Sequence, residues 1–236
     1  LNNGKKIPAD LVICNADPPT VYSEMLPSEY SRDSLLKPKK FTHYSMGLYV
    51  LFFGSKKKFS DVAHHTIWMS ERYKELLHDI FEKKILTEDF SLYLHRPTAT
   101  DDTFAPEGCD SFYVLCPVPN LQGNVQWNSE GPKLKDRIVE ALDKTIMPGL
   151  KENIEAEFWM TPEDFKNDYR SKYGAGFSVA PIFSQSAWFR YHNKDKKIPN
   201  LYFSAAGSHP GAGIPGVLCS AKVIEKLIIK DFKVSH

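Results

Sequence analysis

The spacing of apolar residues along this chain changes several times, and each change marks an element. Residues 7–14, Ile-Pro-Ala-Asp-Leu-Val-Ile-Cys, form an apolar run that predicts a buried strand, and Asn15-Ala-Asp-Pro-Pro19 supplies the turn that ends it. Residues 45–53 predict a second strand closed by Gly54, with Lys56, Lys57 and Lys58 at a hairpin tip before a third strand over 64–69. The period then switches. Tyr73, Leu76, Leu77, Ile80 and Phe81 fall at i, i+3, i+4, i+7 and i+8, the stripe of an amphipathic helix.

Residues 90–95 and 111–117 read as strands separated by a turn-rich stretch, and Leu134, Ile138, Ala141, Leu142 and Ile146 mark another helix, stopped by Pro148-Gly149. Residues 154–160 are strand-like. Thr161-Pro-Glu-Asp164 is a capping box with proline at the first helical position, so a helix is expected to about Arg170. A long Pro-interrupted connection over about 177–199 leads to a last strand, 200–204, and a last helix whose Val217, Ala221, Ile224 and Ile228 line one face. Strands and helices do not alternate strictly. This predicts an α/β to α+β chain: a mixed middle region of about 150 residues flanked by two short pieces of a second domain.

Composition narrows the classes. With 42% hydrophobic and 25% charged residues the chain reads as globular. A net charge of +1 gives no nucleic-acid footprint. Cys14, Cys109, Cys116 and Cys219 lack C-x-x-C spacing and read as free intracellular thiols. His64-His65 lacks i, i+4 spacing and partner carboxylates, so no metal site is expected. No apolar run approaches the roughly 20 residues that span a bilayer, so membrane contact is expected to be peripheral, on a cytoplasmic protein. Lys37, Lys39, Lys40 and Lys56 to Lys58, flanked by Phe41 and Phe59, are the candidates for anionic headgroups. The first residue is Leu1, and no signal peptide follows, which fits a chain that starts inside a longer protein.

The richest motif is near the end, Ala205-Ala-Gly-Ser-His-Pro-Gly-Ala-Gly-Ile-Pro-Gly216. Gly211 to Gly216 fits G-x-G-x-x-G, which normally opens a βαβ unit with an acidic residue about 20 positions on. Here no room remains for a second strand. Glycine leaves backbone bare for a flat ligand, and the first N–H groups of the next helix lack partners and carry the positive end of its dipole. A phosphate or the N1–C2=O edge of a reduced flavin fits such a helix start. Ser208 and His209 add polar groups. The plainer alternative is a Gly/Pro loop that merely turns the chain.

These residues resemble bacterial-type phytoene desaturases, the FAD-dependent carotenoid dehydrogenases. The family signature is close to N-L-Y-L-V-G-A-G-T-H-P-G-A-G-I-P-G, matched here over 200–216. Thr161-Pro-Glu-Asp-Phe165, Gln185-Ser-Ala-Trp-Phe-Arg-Tyr-His-Asn193, Ala9 to Asp17, Ala63-His-His-Thr66, Glu88 to His95 and Ala105-Pro-Glu-Gly108 extend the match to nearly the whole chain. Ala205, Ser208 and Tyr191 depart from the family's Gly, Thr and Pro. The Ala205 methyl is expected to lie near the cofactor.

The resemblance implies a partial FAD-binding, Rossmann-like domain of the flavin amine oxidase type plus a mixed-sheet substrate-binding domain. The family's opening G-x-G-x-x-G is absent, so a missing N-terminal half is expected as partner. Residues 1–20 are then the end of the FAD domain, 21–180 the substrate domain, and 181–236 the return to the FAD domain. The implied cofactor contacts are Asn15, Ala16, Asp17, Ala206, Gly207, Ser208, His209, Gly211, Gly213, Ile214, Pro215 and Gly216. The implied reaction desaturates a long polyene precursor such as phytoene by hydride transfer to flavin. No proton acceptor stands out; His209 is the one weak candidate. An apolar tunnel is expected, with Phe177, Phe183, Trp188, Phe189, Trp68 and Tyr49 as candidate walls. Two alternatives stay open: a non-catalytic hydrophobe- or partner-binding module, and a flavoenzyme acting on a C30 precursor.

Overall fold

The computed structural model describes residues 3–31 and 42–233; Lys37, Lys39, Lys40 and Phe41 lie outside them. The chain divides into two compact units: Leu1–Ser45 with Tyr169–Lys172 and Phe177–His236, and Met46–Asp168 with Tyr173–Gly176.

The second unit is built on a five-stranded antiparallel sheet. Its strands are β2 (Gly47–Ser55), β3 (His65–Trp68), β4 (Leu92–His95), β5 (Asp110–Val118) and β6 (Ile154–Met160), in the order β3-β4-β5-β2-β6. Because side chains alternate across a strand, register decides the faces. Tyr49, Leu51 and Phe53 pair with Cys116, Val114 and Phe112, and all six are buried on one face. Leu134, Ile138 and Leu142 of helix α4 (Trp127–Lys144) share that core and are fully buried. Burial pushes the Cys116 thiol up to about 12, an unreactive, core-filling sulfur.

Several expectations shift. The stretch after β2 is not a hairpin tip, since β2 pairs with β5 and β6 and never with β3. Lys57 donates to the Pro148 carbonyl, Lys58 pairs with Asp102, and Phe59 is buried in the core rather than facing lipid. Tyr49 is also core, donating its hydroxyl to Gly131, and the partly buried Trp68 packs on Phe90. The helix expected from Tyr73 is α-helical only over α3 (Tyr73–His78), and a π turn continues it over Asp79–Lys83.

Asp79 sits in that turn, held below the usual carboxylate range chiefly by its hydrogen bond from Lys83, with Arg72 adding to it. A lowered folded pKa means stability present at neutral pH that is lost as pH falls through the lowered value. Asp79→Asn is therefore expected to reduce the acid sensitivity of unfolding. Urea midpoints at pH 7 and in mild acid check this; an unchanged pH dependence contradicts it.

The first unit carries a two-stranded parallel pair, β1 (Val12–Cys14) and β7 (Leu201–Phe203), with Val12 opposite Leu201 and Cys14 opposite Phe203. The strand at the N-terminus is shorter than the expected 7–14, and Val12 and Ile13 are exposed. Helix α1 (Pro18–Thr20) runs into a π turn, Val21–Met25, and α2 is Ser28–Ser31. The short α5 (Leu150–Asn153) and α6 (Pro162–Asp168) belong to the second unit. The long α7 (Ile214–Phe232) ends the chain.

Packing groups residues past 20 with the chain ends, whereas the sequence placed the boundary at residue 20. Tyr22 explains this: fully buried, it packs on Phe203 and Tyr191, and its hydroxyl donates to Asp195 at 2.6 Å. The buried line of α7 is also rotated from the expected stripe. Ser220 and Ile224 face inward while Ala221 is exposed, because the Ser220 hydroxyl meets Asn193 and Ser208.

Candidate functional site

The terminal motif forms a tight turn between β7 and α7, braced from behind. Arg190 is buried, and its guanidinium donates to the carbonyls of Ala206 (2.8 and 3.0 Å), Phe177 (2.8 Å) and Val179 (3.1 Å). Asn193 donates to the carbonyls of His209 and Phe203 and to Ser220. Both residues were assigned no role in the sequence beyond their place in the 185–193 segment. Only Arg190, between Phe189 and Tyr191, carries a local signal, whereas Asn193 lies between His192 and Lys194 and carries none; the carbonyls they serve are 10–16 positions away.

The sequence-derived contacts separate into two groups. Asn15, Ala16, Asp17, Ala206, Gly207 and Ser208 form the floor. Asn15 donates to Ser204, and Asp17 accepts from Ser178 and from the Lys172 backbone. Burial raises the Asp17 pKa, opposed by the Ser178 and Lys172 hydrogen bonds and by the charge of Arg190. A Cβ on Gly207 would lie 2.6 Å from Pro18 Cδ and Ser178 Oγ and 2.9 Å from Asp17 Oδ1, so this glycine is required by protein packing. Ser208 is fully buried, and its hydroxyl accepts from the Ala205 N–H and donates to the Ala205 carbonyl within the turn. Ala205 is likewise buried.

His209, Gly211, Gly213, Ile214, Pro215 and Gly216 form the open group. Gly211 (φ +148°) and Gly213 (φ +93°) adopt backbone that L side chains rarely reach, with no side chain crowding them. Gly216 is different: a Cβ there would meet the Gly211 carbonyl at 2.5 Å, so the turn closes onto the first turn of α7. That helix start has Gly213 as its cap, no side-chain capping bond and no acidic residue in its first turn. Ile214 is 79% exposed. A nineteen-residue helix thus presents uncapped N–H groups and its dipole's positive end at an open, glycine-lined surface.

His209 Nδ1 is buried and has no hydrogen-bond partner among the described residues. Its ring stands against Trp188 beside a cavity of about 550 Å³ that His192, Asn193 and Lys196 also line. An orphaned buried nitrogen next to an uncapped helix start suits a polar, planar group that accepts and donates hydrogen bonds. The isoalloxazine edge of a flavin has that chemistry, so the residues present fit it. Phe177, Phe183, Trp188 and Phe189, expected as tunnel walls, are all exposed in this unit, with Phe183 and Phe189 in ring contact.

The second unit offers a different surface. On the sheet face opposite the core, register lines up Phe158, Phe52, Tyr113, His95 and His65 in one row across all five strands. Phe52 and Phe158 stack at 4.5 Å, and Phe52 and Tyr113 lie 5.6 Å apart. The neighbouring row is Ala156, Gly54 and Ser111, all small. Rings beside small residues leave a trough of about 370 Å³, which His95, Pro97 and Phe158 also line.

These features accompany clear sequence relationships. The family model for flavin containing amine oxidoreductases matches residues 1–223, and the chain belongs to that family. The phytoene desaturase (lycopene-forming) of Pantoea ananas is 45% identical over 235 residues, covering 98% of this chain and 47% of that protein. The phytoene desaturase (neurosporene-forming) of Rhodobacter capsulatus is 44% identical over 97% of this chain and 44% of its own length. The 4,4'-diapophytoene desaturase (4,4'-diapolycopene-forming) of Methylomonas sp. is 32% identical over 99% and 46%. The chain therefore spans about half the length of the curated relatives it matches. In fold it is similar to an oxidoreductase from Methanosarcina mazei (TM-score 0.51, 17% identity, 92% of this chain and 43% of that one). Cyclohexylamine oxidase from Brevibacterium oxydans is comparably similar (TM-score 0.50, 12% identity, 95% and 44%).

Proposed function

We propose that this chain is the C-terminal portion of an FAD-dependent carotenoid desaturase acting on a long polyene precursor such as phytoene. The observation that carries the reading is the apolar trough on the open sheet face, where a row of five rings lies beside three small residues. A hydrocarbon offers no hydrogen-bonding handle, so its recognition rests on apolar and aromatic walls. The 44–45% identity to phytoene desaturases, against 32% to a diapophytoene desaturase, favours the longer precursor over the C30 one.

FAD supplies the hydride acceptor when bound. Toward it, the chain contributes the α7 N-terminus, which favours negative charge on a reduced flavin, with Gly211 and Gly213 allowing close backbone approach. Ile214, Pro215 and Gly216 shape the contact surface, and His209 offers the orphaned Nδ1. Asp17, Gly207 and Ser208 act one layer behind it, holding the turn in place, and Asn15, Ala16 and Ala206 are the remaining contacts that the resemblance implies. In this reading the unit that holds the chain ends serves the cofactor and the unit built on the five-stranded sheet serves the substrate. The remainder of the cofactor site comes from a segment equivalent to the first half of the relatives. A hydrocarbon substrate also argues for work at a membrane surface, with exposed Phe183, Trp188 and Phe189 available for lipid. No helix among the described residues is long and apolar enough to cross a membrane.

The test joins this chain to the N-terminal half of the Pantoea ananas relative at the aligned boundary, in phytoene-producing cells. The expected result is loss of phytoene and appearance of products with longer conjugation. A flavin-loaded chimera that leaves phytoene untouched overturns the reading. Gly54→Phe in the same chimera fills the trough. A Cβ at Gly54 meets nothing within 4 Å, so the new side chain starts from open space rather than from packed backbone. Turnover is expected to fall at least about ten-fold with flavin content unchanged, the scale of a blocked apolar pocket.

A further inference from the structure

The aromatic row ends in a cluster that linear spacing concealed. Linear spacing joins His64-His65 to no third ligand, because a pair of adjacent histidines cannot bind on one helix face. Cross-strand register does what spacing did not. His65 on edge strand β3 is paired with His95 on β4, and His64 precedes it. The three rings converge: His65 and His95 stack at 5.2 Å, and His64 lies 4.8 Å from His95 and 4.3 Å from His65. One ligand nitrogen from each lies within 4.8 Å of the other two.

We propose that His64, His65 and His95 bind a divalent transition-metal cation of the imidazole-preferring class, such as Zn²⁺. Three arguments carry this. The donor set is three imidazoles, the ligand type that zinc, copper and nickel favour, and three nitrogens leave a fourth position open for water or an anion. Two of the three Nδ1 atoms are already fixed. His65 Nδ1 meets the Tyr93 hydroxyl at 2.8 Å and His64 Nδ1 meets the Thr100 hydroxyl, the arrangement by which metal-binding histidines are oriented from behind. That leaves Nε2 as the ligand atom of His64 and His65, and His95 turns its own Nε2 toward that of His64. His64 Nε2 and His95 Nε2 are 2.9 Å apart, one ring donating to the other. Tetrahedral zinc, with Zn–N of about 2.0–2.1 Å, needs its nitrogens about 3.3 Å apart, so the His64–His95 pair opens by only a few tenths of an ångström while His65, within 4.8 Å, turns in as the third ligand.

The site is independent of the flavin reading, since all its residues lie in the second unit and none belongs to the terminal turn. It does lie at one end of the proposed trough, which His95 also lines. The test is titration of the EDTA-washed full chain with Zn²⁺ against a chromophoric chelator, and with Co²⁺ read by visible absorbance. One equivalent is expected, with the Co²⁺ spectrum of a nitrogen-ligated, low-coordinate ion. Affinity should fall at least about ten-fold in His95→Gln and in His65→Gln. His65 is exposed, so its variant keeps the fold even where His95→Gln does not. His43→Gln, outside the cluster, should bind as the parent does. No saturable binding up to about 1 mM Zn²⁺, or binding that survives His65→Gln unchanged, overturns the proposal.

Discussion

Replacing Arg190 with methionine is expected to destabilise the chain by about 3–5 kcal/mol and to loosen the terminal turn. The side chain is 4% exposed and serves the carbonyls of Ala206, Phe177 and Val179, all local acceptors in irregular backbone. Without it those carbonyls lose their donors, and each buried unsatisfied group costs about 1–3 kcal/mol. Asp17 also loses one of the charges that oppose the rise of its pKa. Arg190→Lys separates charge from geometry. A single ammonium cannot reproduce a planar fork directed at three carbonyls, so lysine should recover little of the loss. Urea unfolding measures both variants. A cost below about 1 kcal/mol for methionine, or full recovery by lysine, contradicts this role.

The second large effect lies in the other unit. Asp110 opens β5, is 1% exposed, and accepts from Arg96 Nε at 3.0 Å, Thr98 Oγ1 at 2.7 Å and the Phe59 N–H at 2.7 Å. Arg96 is itself buried and also donates to the Val62 carbonyl. Asp110→Ala strands a buried guanidinium and two further donors, at a cost of about 3–5 kcal/mol. A buried ion pair often contributes little relative to apolar residues of similar size. The double variant Asp110→Leu, Arg96→Met is therefore expected to recover a substantial part of the loss. Thermal unfolding of the singles and the double gives the coupling. Additive losses would show that the two side chains act independently and remove the argument.

What the sequence disclosed followed its periodicities. The strands of the described residues overlap the apolar runs it marked, and residues 154–160 matched β6 end to end. The capping box at Thr161 also formed, with Asp164 accepting from the Thr161 N–H and hydroxyl. Pairing was not legible. The linear order suggested a β2–β3 hairpin, but β2 sits between β5 and β6, a choice made by long-range register. The same blindness hid His95 beside His64-His65, and the aromatic row opposite the core. At the terminal motif the glycines were visible but their reasons were not. Gly207 and Gly216 answer to close protein contacts, and Gly211 and Gly213 answer to backbone conformation. Ser208, counted by type among polar groups for a ligand, turns inward because the turn itself needs its hydroxyl.

In the proposed function the turn over Gly211 to Gly216 is one wall of a flavin site completed by another segment. The most direct measurement is FAD stoichiometry, by absorbance after gel filtration, of this chain alone and of the chain joined to the N-terminal half of the Pantoea ananas relative. Little or no FAD is expected on the chain alone and about one equivalent on the joined protein, with a lower stoichiometry when Gly213→Val distorts the helix start. Stoichiometric FAD on the isolated chain, or a joined protein that folds yet stays colourless, would contradict it.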